Sequence, residues 1–232
     1  MTYRAVFFDV GETLVHPAPT FPDLFASILL REGYLCAPED VVAASGVVMD
    51  RFSEAARDGE LWTTSPERSR DFWLSVYERM LTALGLPGAD GLGGTLYREF
   101  TDLRNYELFE DVRGTLGALT DAGLGLGIIS NFEAWLEELL VALGVHEAFP
   151  VRVISGVEGI EKPDPQIFEL AMARAGVSAE ESVYVGDNPE FDVDPPAALG
   201  MFTVLIDRRD RHPHHGGARI ADMRELPAVL GL

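Results

Sequence analysis

Residues 5–13 read Ala-Val-Phe-Phe-Asp-Val-Gly-Glu-Thr. Positions 5–10 make a short apolar, aromatic and β-branched run closed by Gly11, the pattern of a buried strand. The run carries one acid, Asp9, near its end. An ionised carboxylate there is costly unless it is paired, hydrogen-bonded or bound to a metal. Runs at 124–130, 151–155, 182–186 and 202–207 repeat the pattern. Apolar throughout rather than alternating, such strands are buried on both faces, as in a parallel sheet. Helical periodicity separates them at 112–122, 133–143 and 165–175, and 225–230 closes the chain. This alternation predicts an α/β fold: a doubly wound, mostly parallel Rossmann-like sheet.

The stretch 21–105 breaks the rhythm. It has helical periodicity at 21–32, 39–57, 66–84 and 94–103, with a glycine-rich helix–helix connection at 85–94 and no convincing strand. The expected organisation is therefore a core domain of 1–18 and 106–232 with an all-helical cap domain, 19–105, inserted after the first strand. Open α/β sheets place ligands at the C-terminal ends of their strands, and the insertion leaves at that end, so it is placed to act as a lid. Its aromatics Phe52, Trp62, Phe72, Trp73 and Tyr77 fall at spacings that usually mean core packing.

Charge narrows the partners. The 232 residues hold 18 Lys+Arg and 38 Asp+Glu, a formal charge of −20, and Lys162 is the single lysine among 17 arginines. No nucleic-acid partner is expected, because phosphate backbones need clustered bases. Binding to an anionic membrane surface is disfavoured as well. No apolar run approaches the ~20 residues of a spanning helix. The single cysteine, Cys36, cannot form an intrachain disulfide, which suits a reducing compartment. The chain enters strand-like sequence at Tyr3, so no secretory leader is expected and the location is expected to be cytoplasmic.

Four polar segments follow or lie near strand ends: Asp9–Thr13, Ser130-Asn131, Glu161–Pro165 and Gly186–Asp192. Each alone has a local explanation. Ser130 or Asn131 would cap a helix, Asp164-Pro165 would start one, and Asp187 or Asp192 would be turn residues. Converging on one sheet edge, they make chemical sense together. Asp9 and Asp187 offer hard oxygens that suit Mg²⁺. A carboxylate can attack phosphorus and split hydrolysis into two easier steps. The Ser130 hydroxyl and Lys162 ammonium would hold the phosphoryl oxygens.

In this order, FFDVGETLV, LGIISNF, EKPDPQIFELA and VYVGDNPEFDV…PPAALGM, with a closing RELPAVL, the chain resembles the haloacid dehalogenase-like hydrolase superfamily. The resemblance is closest to phosphatase-type members with a helical cap inserted after the first motif. It implies an aspartyl-phosphate on Asp9, phosphoryl binding by Ser130 with Asn131 beside it, and charge neutralisation by Lys162. It further implies Mg²⁺ held by Asp9, the main-chain carbonyl of Gly11 and Asp187, with Asp192 supporting. The implied substrate is a small phosphorylated metabolite.

Gly11 departs from the family pattern, which usually has there an aspartate that protonates the leaving group and then activates water. Such help is worth ~10²–10⁴-fold. Three consequences stand open. Another residue supplies the proton, with Glu12 and His16 nearest; or the substrate carries a good leaving group, such as an acyl or aryl phosphate; or the chain is a catalytically weak binding protein. A metal-independent haloacid dehalogenase is the other enzyme the resemblance admits, although the Gly186-Asp187 segment favours the metal-dependent route. His212, His214 and His215 have metal-like density but sit in a polar loop, so a loop without a metal is the expectation.

Overall fold

The computed structural model describes residues 3–86 and 91–232. The middle of the glycine-rich connection, 87–90, lies outside the described residues. The chain forms two compact units, Met1–Val15 with Leu108–Leu232, and His16–Glu107. These divisions fall three and two residues from the boundaries expected of the sequence.

Eight strands are present among the described residues: β1 (Ala5–Phe8), β2 (Val15–Pro17), β3 (Tyr106–Leu108), β4 (Gly125–Ser130), β5 (Val151–Ile154), β6 (Ser182–Gly186), β7 (Phe202–Ile206) and β8 (Ala218–Ile220). Six of them make one sheet in the order β5-β4-β1-β6-β7-β8, and β2 pairs with β3 in a separate two-stranded sheet. Every pairing in the large sheet is parallel. β1 is therefore central, and the order turns at it: the chain builds out through β4 and β5 on one side, then crosses to β6, β7 and β8. Ligand crevices of open sheets lie at such a turning point.

Alternation along β1 gives each sheet face its own core. Ala5 and Phe7 join Ile129, Val153, Tyr184 and helix residues Ile167, Phe168 and Ala171 in one cluster. Val6 and Phe8 face the other way, where the Phe8 ring meets Phe149 edge-on at 6.2 Å. Each such fully buried side chain contributes about 1.5–3 kcal/mol. Gly127 shows how closely the strands are dressed, since a Cβ there would come within 2.6 Å of the Phe7 ring.

Several boundaries differ from the sequence reading. The predicted helix 39–57 is two helices, Pro38–Ala44 and Gly46–Asp58. They part at Ser45, whose hydroxyl donates to the Val42 carbonyl at 2.7 Å, next to a weak helix former. The predicted helix from Glu133 starts only at Leu136, with Trp135 rather than Ser130 or Asn131 as N-cap. Strand β8, Ala-Arg-Ile, was too short and too polar to register as a strand.

The second unit is helical. Thr20 and Ser65 cap Phe21–Arg31 and Pro66–Ala83, each followed closely by a proline that fits the first helical turn. Its core is aromatic: Trp62 stacks on Phe72 at 5.4 Å, Tyr77 on Phe100 at 5.7 Å, and Trp73 on Tyr77 at 5.8 Å. The named aromatics pack with one another here, and the Arg51 guanidinium lies over Phe72 at 4.5 Å. No helix among the described residues is long and apolar enough to cross a membrane.

Candidate active site

The register of the sheet carries three strand ends to one place. Phe8 lies level with Ile128 on β4 and Val185 on β6, so Asp9 emerges where those strands reach Ser130 and Asp187. The Asp9 amide still donates to the Val185 carbonyl at 2.9 Å, which extends the sheet one residue and fixes the carboxylate. Its Oδ1 accepts from the Ser130 hydroxyl at 3.0 Å and from Lys162 Nζ at 2.8 Å. Its Oδ2 has no hydrogen-bond partner among the described residues, so one oxygen is tied and the other is free.

Lys162 reaches the site from the segment before helix Pro165–Ala175. The Asn131 side chain pins that segment from both sides: its amide donates to the Lys162 carbonyl at 2.8 Å, and its Oδ1 accepts from the Lys162 amide at 2.7 Å. The lysine is only 3% exposed, and its ammonium donates to Asp9, Asp192 and Tyr184 at 2.8, 2.6 and 3.0 Å. Burial works against the charge, but Asp192 and Asp9 outweigh it and hold the Lys162 pKa well above the ordinary lysine value. A buried ammonium with its donors matched by three acceptors is a satisfied one.

Asp192 comes from the π-helical turn Pro189–Val193 after β6. Its Oδ1 takes Lys162 at 2.6 Å and lies 3.3 Å from the Tyr184 hydroxyl oxygen, and its Oδ2 takes the Asn188 amide at 3.0 Å. The side chain lies directly over Gly186, where a Cβ would come within 2.4 Å of it. Glycine at 186 is thus a requirement of close approach rather than of a turn. Tyr184 had been read only as part of an apolar strand. Its hydroxyl accepts from Lys162 and donates to the Ile129 carbonyl at 2.7 Å, closing the floor of the site. A tyrosine inside a continuous apolar run was the available signal, because a buried hydroxyl must find a partner.

Asp187 is different. Half-buried, its carboxylate has no hydrogen-bond partner among the described residues. Burial, with Asp192, Asp9 and Glu12 nearby, pushes its pKa well above the ordinary carboxylate value. Ligand oxygens of Asp9, Asp187 and Asp192 lie within 4.8 Å of one another. Three acids crowded this closely, one without a partner, fit an all-oxygen divalent cation site, since a cation would offset the repulsion that the protein leaves standing. No such cluster forms around His212, His214 and His215 among the described residues.

Around Gly11 the space is open: a Cβ there meets nothing within 4 Å. Among the described residues, no side chain lies in the place of the missing acid. Glu12 holds a left-handed backbone, φ 55°, and its carboxylate pairs with Arg209 at 2.8 Å. His16 Nδ1 lies 2.8 Å from the carbonyl of its neighbour Pro17. The loop after Asp9 has an anchor that the sequence did not reveal. Arg208 forks onto Asp111 at 2.7 and 3.1 Å and donates to the Thr13 carbonyl at 2.9 Å. Asp111 in turn accepts from the Met223 amide at 2.7 Å. Nothing in the sequence alone singles out Arg208.

A parallel sheet with this carboxylate cluster at its turning point defines a class of α/β hydrolases. The chain belongs to the haloacid dehalogenase-like hydrolase family, whose model matches residues 3–200. It is 29% identical to haloacid dehalogenase-like hydrolase domain-containing protein 3 of Danio rerio, over 98% of this chain and 96% of that one. It is 36% identical to a phosphoserine phosphatase of Thermus thermophilus over 55% of this chain and 53% of that one. In fold it matches a HAD-hydrolase of Bacillus subtilis bound to magnesium, with a TM-score of 0.79, 18% identity and full coverage of both chains. Solved phosphatases and haloacid dehalogenases both share the fold, so the fold alone does not choose between attack at phosphorus and attack at carbon.

Proposed function

We propose that the chain is a Mg²⁺-dependent phosphatase that takes the phosphoryl group of a small metabolite onto Asp9, with unit 16–107 as its substrate-selecting cap. The observation that carries this reading is the state of Asp9. Ser130 and Lys162 hold Oδ1, while Oδ2 is left free to attack. In the first step Oδ2 bonds to phosphorus as the ester P–O bond breaks, and the leaving oxygen departs with the bonding electrons. Water then attacks the aspartyl-phosphate, giving inorganic phosphate and restoring the carboxylate. Lys162 and Ser130 stabilise charge on the transferring group, and Asp192 and Tyr184 keep the ammonium aimed. Asp9, Asp187 and the Gly11 carbonyl would hold Mg²⁺, with Asp192 supporting. When bound, the ion supplies positive charge to the phosphoryl oxygens. The −20 charge of the chain is thereby met locally rather than globally. The named phosphatase relative supports this choice over a metal-independent dehalogenase, as does the partnerless Asp187.

An aryl phosphate assayed with and without Mg²⁺ tests the reading, and the thermal melt supplies a readout independent of turnover. The folded Asp187 carboxyl has a raised pKa, so the metal-free fold keeps a proton that the unfolded chain has released. Its stability therefore falls as pH rises from the ordinary carboxylate value through the folded one. Metal binds the ionised form. At roughly 100 times Kd, Mg²⁺ should raise Tm by about 5–10 °C where the carboxyl is ionised, and by much less as pH falls towards the ordinary carboxylate value. Mg²⁺-dependent turnover with that pattern supports the proposal. Halide release from a haloacid without metal would overturn it, and so would a Tm indifferent to Mg²⁺ at every pH.

Gly11 sets the leaving-group preference. With no carboxyl in its place, alkoxide departure goes unassisted, whereas an aryl oxide needs little protonation. Gly11→Asp enters open space. It should raise kcat on alkyl phosphates by about 10²-fold, and on aryl phosphates by much less. Equal gains on both would remove the leaving-group argument.

A further inference from the structure

The loop after β7 carries three arginines within four residues, Arg208, Arg209 and Arg211, in a chain whose net charge is −20. It runs along a small cleft lined by Glu12, Asp187, Ile206, Asp207 and those three arginines. Asp187 belongs to both the cleft and the carboxylate cluster, so the cleft borders that cluster.

The three guanidiniums are not equivalent. Arg208 is consumed by Asp111 and the Thr13 carbonyl. Arg209 is 43% exposed along its side chain and pairs with Glu12, itself 31% exposed. Arg211 is exposed, and its guanidinium has no partner among the described residues. The backbone beneath them is fixed, because Asp207 accepts from the amides of Arg211 and His212, both at 2.8 Å, and from Arg219 Nε at 3.0 Å. Burial opposes the Asp207 charge, but those amides and the guanidinium hold its pKa below the ordinary value, so the loop has a permanent anionic anchor.

Glu12 is the informative residue. It sits in the left-handed region that a glycine would occupy without strain. The result is a carboxylate resting on Arg209 at the mouth of the site. With this pair closed, the cleft is a cavity of about 20 Å³, room for roughly one water. An exposed ion pair contributes little, so another carboxylate can take Glu12's place.

We propose that Arg209 and Arg211 form a subsite for a carboxylate on the substrate whose phosphoryl group goes to Asp9, with Glu12 as the resting stand-in for that carboxylate. The inference rests on the phosphatase reading and narrows its substrate class to phosphorylated carboxylic acids. Guanidiniums suit the task because their forked donors match a carboxylate in a way an ammonium does not.

Phosphoserine and phosphoethanolamine differ only in a carboxylate, and they can be compared as competitors of aryl phosphate hydrolysis whether or not they are turned over. The wild type should bind phosphoserine about tenfold more tightly, and added salt should shrink the difference. Arg209→Gln and Arg211→Gln should each reduce that ratio, and the double substitution should bring it near one. Arg209→Lys should restore part of it. Glu12→Gln should move the ratio the other way, because it removes the internal competitor, and a merely structural role would not reverse sign. Equal competition by the two compounds in the wild type would overturn the proposal, as would a ratio untouched by the double substitution. If aryl phosphate itself shows no Asp9-dependent turnover, the phosphatase reading fails and this inference falls with it.

Discussion

Asp9→Asn should abolish aryl phosphate turnover, by at least about 10⁴-fold, while leaving the fold intact. The amide has the shape of the carboxylate, and its oxygen can still accept from Ser130 and Lys162, so both contacts to Oδ1 survive in form. What disappears is the anionic nucleophile. Lys162 keeps its shorter contact, 2.6 Å to Asp192, and is not left as an unpaired buried charge. The metal-free protein should even gain a little, because one of three crowded carboxylates becomes neutral and the repulsion bearing on Asp187 and Asp192 weakens. The expected pattern is thus a lost kcat, a metal-free Tm equal to or above wild type, and a weakened response of Tm to Mg²⁺. Turnover retained with an unchanged Tm would remove Asp9 from the chemistry.

How much of this was legible before the structure depends on the kind of contact. The parallel sheet followed from continuous apolar runs, which few other arrangements can bury, whereas its turning point at β1 is visible only in the strand order. Asp9, Ser130, Lys162, Asp187 and Asp192 were legible because each is a polar group at the end of a buried strand or just before a helix. The structure gathers Asp9, Ser130, Lys162 and Asp192 through direct bonds, and it places Asp187 beside them without one. Asn131 was read as a neighbour of Ser130 and not for the bonds it makes. It ties two loops together through the Lys162 backbone, and no local pattern encodes a bond between residues 31 positions apart. Tyr184 hid in a strand because its ring does belong to the core, edge-on to Phe168 at 5.3 Å, and only its hydroxyl belongs to the site. Arg208 and Arg209 were invisible for a different reason. A surface arginine and an arginine that forks onto a buried Asp111 look alike until the loop is folded. Asp187 and Asp192 had a local explanation as turn residues, and nothing in that pattern shows that Asp192 lies on top of Gly186.

The second large effect is expected from Lys162→Arg, which preserves charge. The site has room for a compact ammonium and three acceptors for it: Asp192 at 2.6 Å, Asp9 at 2.8 Å and the Tyr184 hydroxyl at 3.0 Å. These acceptors surround a point, whereas a guanidinium presents five donors in a plane, more than the acceptors here can satisfy. Overpacking of this kind costs about 1–3 kcal/mol, and a donor left buried and unpaired adds a similar amount. Turnover should therefore fall by about 10²-fold or more, because the positive charge is displaced from the oxygen on which phosphoryl charge develops. Lys162→Met separates the two roles of the residue. It fits the space without strain but leaves Asp9 and Asp192 as facing, uncompensated carboxylates, a loss of about 3–5 kcal/mol. Mg²⁺ should recover part of that stability in the methionine variant, since a cation can replace the missing charge beside Asp9. It should recover much less in the arginine variant, where the fault is shape. Near-wild-type turnover in Lys162→Arg would mean that charge alone suffices at this position, and the single lysine among 17 arginines would then have no explanation in the geometry of its site.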